Sequence, residues 1–186
     1  MITAGYNGRV LMWDPATPGA DPAELGPDWG PGWTVAVAPS GRVVTSDSSG
    51  SIMVWDPAAP GAGGRVLAEL GREPRINVVA VLCDGRLVTG GYDGRVLVWD
   101  PAAPGAGPAE LGRHDSWVQA VAVLPGGQVV TGGEDVRVWD PASSEANIVQ
   151  LGCSAAALAA APLDAHTPCL AIAHHGTGFS TWSVRM

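Results

Sequence analysis

Residues Val88–Pro101 read VTGGYDGRVLVWDP, and residues Ile2–Pro15 read ITAGYNGRVLMWDP; the two align without a gap. The phrase returns as VVTSDSSGSIMVWDP at Val43–Pro57 and as VVTGGEDVRVWDP at Val129–Pro141. Trp-Asp-Pro therefore begins at Trp13, Trp55, Trp99 and Trp139, and Trp182 continues the series without the Asp. The linker PAAPGAG starts at Pro57 and again at Pro101, AELG starts at Ala23 and Ala109, and LAEL precedes Gly71. A self-similar unit of roughly 40–45 residues marks a repeat architecture, in which each copy is one supersecondary unit.

Inside a copy the apolar pattern has period two. Arg95-Val96-Leu97-Val98-Trp99 is rich in β-branched and aromatic residues, as a short strand requires. Turn signals bound the strands at Asn7-Gly8, Ser49-Gly50, Asp84-Gly85, Asp93-Gly94 and Pro125-Gly126-Gly127. Asn-Gly and Asp-Gly between apolar runs predict tight hairpins whose two turn residues both take φ > 0. One copy thus reads as four strands: Asn77 to Leu82, Arg86 to Gly90, Arg95 to Trp99, and a weak outer strand near Ala109 to Leu111. Composition agrees. The 186 residues hold 26 Gly and 16 Pro, which disfavours long helices, and the 46% hydrophobic content is enough for a core.

Four short antiparallel strands closing on Trp-Asp resemble the WD-repeat β-propeller family. The resemblance covers nearly the whole chain, is specific over the middle three copies and weakens after Cys153. It implies an all-β fold of four-stranded antiparallel blades, about four and a half in this chain. Blade 1 (partial) covers 1–26, blade 2 27–71, blade 3 72–112, blade 4 113–152 and blade 5 (partial, divergent) 153–186. In the family a buried His–Ser/Thr–Asp–Trp network ties the strands of a blade. The matching positions are Trp13, Trp55, Trp99, Trp139 and Trp182, with Thr3, Thr45, Thr89 and Thr131. The turn Asp corresponds to Asp93, with Asn7 and Ser49 replacing it elsewhere and Asp135 in a turn two residues shorter. The Gly-His pair survives as Gly112-Arg113-His114. Most blades are therefore expected to lack the full network, leaving the Trp donor to find another acceptor.

Met1 aligns with Leu87, inside the second strand of a blade, and Trp182 lies in a third strand. The expected total is 18 strands, in groups of three, four, four, four and three. The expectation is an incomplete ring, either a fragment of a longer propeller or a half-ring completed by further chains, with self-association through unpaired edge strands.

Chemistry-bearing motifs are scarce. Without any Lys there is no Walker-type loop, and neither Gly-x-Ser-x-Gly nor His-Glu-x-x-His occurs. Cys153, His166, Cys169, His174 and His175 include zinc-type ligands but lack two close pairs. They read as a divergent last blade, with His166 to Cys169 in a loop, a strand at Cys169 to Ala173, and His174-His175 at its turn. Asp14, Asp56, Asp100 and Asp140 read as caps of the turn after each third strand. No catalytic residue, cofactor or metal is expected. The three Cys, odd in number and dispersed, favour a reducing cytoplasm, and the Arg-only, Ala/Gly/Pro-rich composition suggests a GC-rich bacterial gene. A net charge of −8 argues against nucleic acid, and no apolar run reaches membrane-span length.

Five Trp belong to the repeat; Trp29, Trp33 and Trp117 are left over. With Arg72, Arg75, Tyr92 and Arg113 they fall in loops that share one rim, and Trp, Tyr and Arg dominate interface hot spots. For Trp33 and Trp117 the competing reading is that each seals the start of a first strand. The functional expectation is a non-catalytic scaffold or sensor module that binds a protein or peptide through rim loops. The alternative is a small-ligand or enzymatic propeller using the central funnel, where Thr34, Asn77 and Gln119 are the polar groups. In this register Trp99→Ala removes a core side chain and lowers unfolding free energy by about 3–5 kcal/mol. Denaturant titration tests this, and wild-type stability in the variant would disprove the register.

Overall fold

The computed structural model describes residues 1–5, 7–26, 32–47, 49–69, 76–103, 106–142, 149–151, 157–162, 168–173 and 179–183. Among them the protein is all-β, with 18 strands in five antiparallel sheets. The first sheet holds β1 (Ile2–Ala4), β2 (Val10–Met12) and β3 (Ala23–Gly26). The second holds β4 (Gly32–Val37), β5 (Val43–Asp47), β6 (Ser51–Trp55) and β7 (Arg65–Glu69). The third holds β8 (Ile76–Val81), β9 (Leu87–Gly91), β10 (Arg95–Trp99) and β11 (Ala109–Arg113). The fourth holds β12 (Ala120–Val123), β13 (Val129–Gly132), β14 (Val136–Trp139) and β15 (Val149–Leu151). The fifth holds β16 (Ala157–Pro162), β17 (Pro168–Ala173) and β18 (Phe179–Ser183). Each sheet is a meander in chain order. The first strands β4, β8, β12 and β16 lie side by side, so successive sheets face one another as blades. The outer strand of the third sheet, weak in sequence, is a full five residues.

The hairpins differ from the two-residue turns that Asn-Gly and Asp-Gly predict. Among the described residues no non-glycine residue has positive φ. In the 82–86 loop the Gly85 amide bonds to the Leu82 carbonyl and the Leu82 amide to the Arg86 carbonyl, with φ 91° at Gly85. This is a three-residue loop, a type I turn followed by one left-handed residue, and only that last position needs glycine. The same bonding recurs at 38–42 and 124–128.

Hairpin register explains the spacing of the repeat. Thr89 lies opposite Leu97, and Leu87 opposite Trp99. These four residues share one face by alternation, and Thr89 and Trp99 are diagonal neighbours on it. The Trp99 indole N–H donates to Thr89 Oγ1 at 2.9 Å. Trp13 donates likewise to Thr3 (2.9 Å), Trp55 to Thr45 (2.8 Å) and Trp139 to Thr131 (2.6 Å). Each of these Trp donors is thus satisfied within its own sheet, and the expected search for another acceptor does not arise. In the fourth sheet the separation is eight residues instead of ten. A two-residue deletion preserves the face, because side chains alternate with period two. In the fifth sheet the register sets Ile172 at the threonine position.

The core lies between sheets. One apolar cluster joins Val10 and Leu25 of the first sheet to Val43, Met53 and Trp55 of the second. A second joins Val44 and Ile52 to Ile76, Leu87, Leu97 and Trp99. A third joins Val88, Val96 and Val98 to Val118, Val129 and Trp139. At two of these junctions the ring is admitted by glycine. A Cβ built on Gly26 would overlap the Trp55 ring, and one on Gly112 the Trp139 ring. In the first and third sheets the Glu-Leu-Gly of the outer strand is therefore a seat for the next sheet's tryptophan. Gly112→Ala forces the Trp139 ring from its seat, at a cost of about 1–3 kcal/mol. Chemical denaturation should show this loss, and an unshifted transition would refute the seat.

Candidate functional site

The fourth sheet carries the densest polar network. Thr131 Oγ1 accepts from Trp139, and His114 Nε2 lies 2.6 Å from the same oxygen. His114 Nδ1 lies 2.6 Å from Asp135 Oδ1. Arg137 Nε donates to Asp135 Oδ2 at 2.7 Å, its Nη1 to the Arg113 carbonyl, and its Nη2 to Asp115 at 3.2 Å. Every group is satisfied by one arrangement of protons. The indole donates to the threonine oxygen, the threonine hydroxyl donates to Nε2, and Nδ1–H donates to the carboxylate. A second ring proton would leave the threonine proton without an acceptor. Burial lowers the His114 pKa and outweighs the opposing pull of Asp135, so the ring is neutral. Burial also acts to raise the Asp135 carboxyl, but the hydrogen bonds from Arg137 and His114 prevail and hold it below the ordinary carboxylate value.

Threonine, histidine and aspartate in this order have the form of a nucleophile, a base and its orienting acid. The arrangement does no such chemistry, because Thr131 is fully buried and its oxygen is occupied by two partners. Its work is to bind the 113–115 loop to β13 and β14. The turn two residues shorter still delivers Asp135 to the His114 ring, so the fourth sheet holds the full His–Thr–Asp–Trp network.

The other turn residues act locally. Asp93 is exposed, and its Oδ1 accepts the Arg95 amide at 3.1 Å; Asn7 accepts the Arg9 amide at 3.2 Å. In the second sheet Asp47, which the sequence reading passed over, accepts the amides of Ser49 and Ser51 and the Ser49 hydroxyl, so Ser49 is a donor there. Asp14, Asp56, Asp100 and Asp140 each accept the amide two residues on, at 2.8–2.9 Å.

The loop 114–118 bridges two sheets on one rim. The His114 amide bonds to the Gly94 carbonyl and the Val118 amide to the Gly91 carbonyl, while Gly133 sits against the Trp117 carbonyl. Tyr92 and Trp117 meet across this junction with ring centroids 5.2 Å apart and planes tilted by 51°. Trp117 is 54% exposed, so it does not seal β12. Arg113 is exposed on the same rim. Trp29, Arg72 and Arg75 lie outside the described residues, as do the side chains of Trp33 and Trp182. So do Cys153, His166, His174 and His175; Cys169 stands in β17. Among the described residues no group of three metal-ligating side chains occurs, and no helix is long and apolar enough to cross a membrane.

The funnel strands differ from expectation in one respect. Asn77 sits at a bulge between β8 and β9, and its Nδ2 donates to the Val118 carbonyl of the neighbouring sheet at 2.8 Å. A bulge re-aims one side chain, and here the amide fastens two blades together.

Acid acts on the network in a definite direction. The unfolded His114 ring takes up a proton below about 6.5, whereas the folded ring resists until a lower pH. Stability therefore falls as pH drops from there toward the folded value. Asp135 adds to this at lower pH, since a depressed carboxyl stabilises above its unfolded value and loses that contribution as pH falls through the folded one. His114→Gln should be less stable than wild type at neutral pH and lose less stability between about pH 7 and pH 5. Urea midpoints across that range test it, and parallel curves for the two proteins would contradict it.

Residues 64–100 match the family described as WD domain, G-beta repeat. The match begins just ahead of β7 and ends just after β10, so one repeat takes the outer strand of the second sheet and three strands of the third. No curated protein matches the chain. The matched repeat, its echo in the neighbouring sheets and the meandering antiparallel topology together support a WD-repeat β-propeller family for the chain.

Proposed function

We propose that this chain is a non-catalytic interaction module that binds a protein or peptide on the rim where the third and fourth sheets meet. WD repeats support an interaction or scaffold role in general. The observation that carries the finer reading is the exposed Trp117 set against the half-buried Tyr92. A half-exposed tryptophan held on a hydrogen-bonded loop offers a large contact area with little freedom to lose on binding. The backbone under it is anchored on both sides, to Gly91 and Gly94 of one turn and, through the Asn77 amide, to β8.

The central funnel supports the alternative less well. Asn77, the most polar group expected there, already holds Val118. Thr131 and His114, the would-be nucleophile and base, are buried away from any substrate.

Panning a random heptapeptide display library on the wild type and on Trp117→Ala tests the rim. Peptides selected by the wild type should bind the variant about tenfold or more weakly. Thermal melting should show both proteins folded, because the side chain is largely outside the core. Peptides that bind both proteins equally would remove the rim from the function.

A further inference from the structure

The partner's chemistry can be read from what surrounds the aromatic pair, and this inference rests on the rim reading above. Three turns converge there. The first carries Tyr92 and Asp93, the second Asp115 and Trp117, and the third Glu134 and Asp135; backbone bonds of the 114–118 loop join the first two, and the His114–Asp135 contact joins the third. Asp93 and Glu134 are exposed, and the Asp115 side chain is 99% exposed. The cations nearby are largely committed. Arg95 pairs with Glu110 at 2.7 Å, and Arg137 is 13% exposed with its Nε on Asp135. Among the described residues Arg113 is the remaining guanidinium here, set against three exposed carboxylates, of which Asp115 also meets Arg137 Nη2 at 3.2 Å. What faces outward is thus an aromatic platform fringed with negative charge, on a chain of net charge −8.

We infer that the rim receives an arginine side chain from an extended, basic segment of a partner protein. A guanidinium stacks on an indole face, is attracted by the ring quadrupole and pairs with a carboxylate through its planar fork. An ammonium gains the charge but loses the stacking and the fork. An acidic segment would meet three carboxylates and is refused. The overall negative field also speeds the approach of a basic segment and weakens with salt.

The test uses the full chain and fluorescein-labelled peptides of alternating Gly-Arg and alternating Gly-Glu, read by fluorescence anisotropy. The Gly-Arg peptide should bind saturably. Its affinity should fall about tenfold in Trp117→Ala, several-fold in the double variant D115N/E134Q, and further as salt rises from about 50 to 300 mM. Trp117→Phe should recover part of the loss. Equal binding of the Gly-Glu peptide, or Gly-Arg binding that Trp117→Ala leaves unchanged, overturns the inference. The library selection separates this failure from failure of the rim itself. Selected peptides that depend on Trp117 but are not enriched in Arg leave the rim standing and refute the arginine. Selected peptides indifferent to Trp117 refute both.

Discussion

The hydrogen bond from a tryptophan indole to a threonine hydroxyl on the neighbouring strand is the constraint on which the rest of this structure depends. It occurs in four successive sheets. Each bond contributes only about 1 kcal/mol net, but it fixes the tilt of a ring that is the largest side chain at its junction. With the tilt fixed, the ring projects toward the preceding sheet. Gly26 and Gly112 leave room for it there. A local polar contact within one blade thereby sets the packing between blades. Repeat proteins are stable by the sum of such nearest-neighbour contacts.

The offset between sequence repeat and structural sheet follows from the same contact. The matched repeat begins at the outer strand of one sheet and ends at the tryptophan of the next. With the same offset, the seats Gly26 and Gly112 precede Trp55 and Trp139 in the chain and join consecutive sheets. Within the first sheet, Trp13 still bonds to Thr3, and yet its ring is only half-buried, whereas Trp55 and Trp139 are 1% exposed. The difference lies in the seat. Trp55 and Trp139 rest on the glycine of an adjoining outer strand, and the hydrogen bond alone does not bury a ring.

The fourth sheet shows how structure of this kind carries function outward. His114, held neutral between Thr131 and Asp135, is a buried fastening for the loop that ends at Trp117. Arg137 ties the same loop from below through the Arg113 carbonyl. The polar network is fully paired, so it rigidifies and does not strain. A rigid loop can present an aromatic side chain to solvent without letting it collapse onto the nearest apolar surface. The exposed Trp117, set against a half-buried Tyr92, is the outcome.

Sequence alone determined the repeat, the all-β class and the grouping of 18 strands; it lined up four tryptophans with four threonines, but it left each indole to find another acceptor, and the structure supplied the threonine. These are local or periodic properties, and alternation along a strand converts spacing into a face with no knowledge of neighbours. Hairpin type was misread at Asn7-Gly8 and Asp93-Gly94, because the dipeptide suits two turns and the strand ends decide between them. Asp47 escaped notice since its role depends on two amides in the next turn. Only the tertiary structure decided that Asp135 reaches His114 across 21 residues, that Asn77 spans two sheets, and that Trp117 stays in solvent while Trp139 is buried. Those outcomes depend on which sheet lies against which, and that is set by shape between units rather than by the pattern within one.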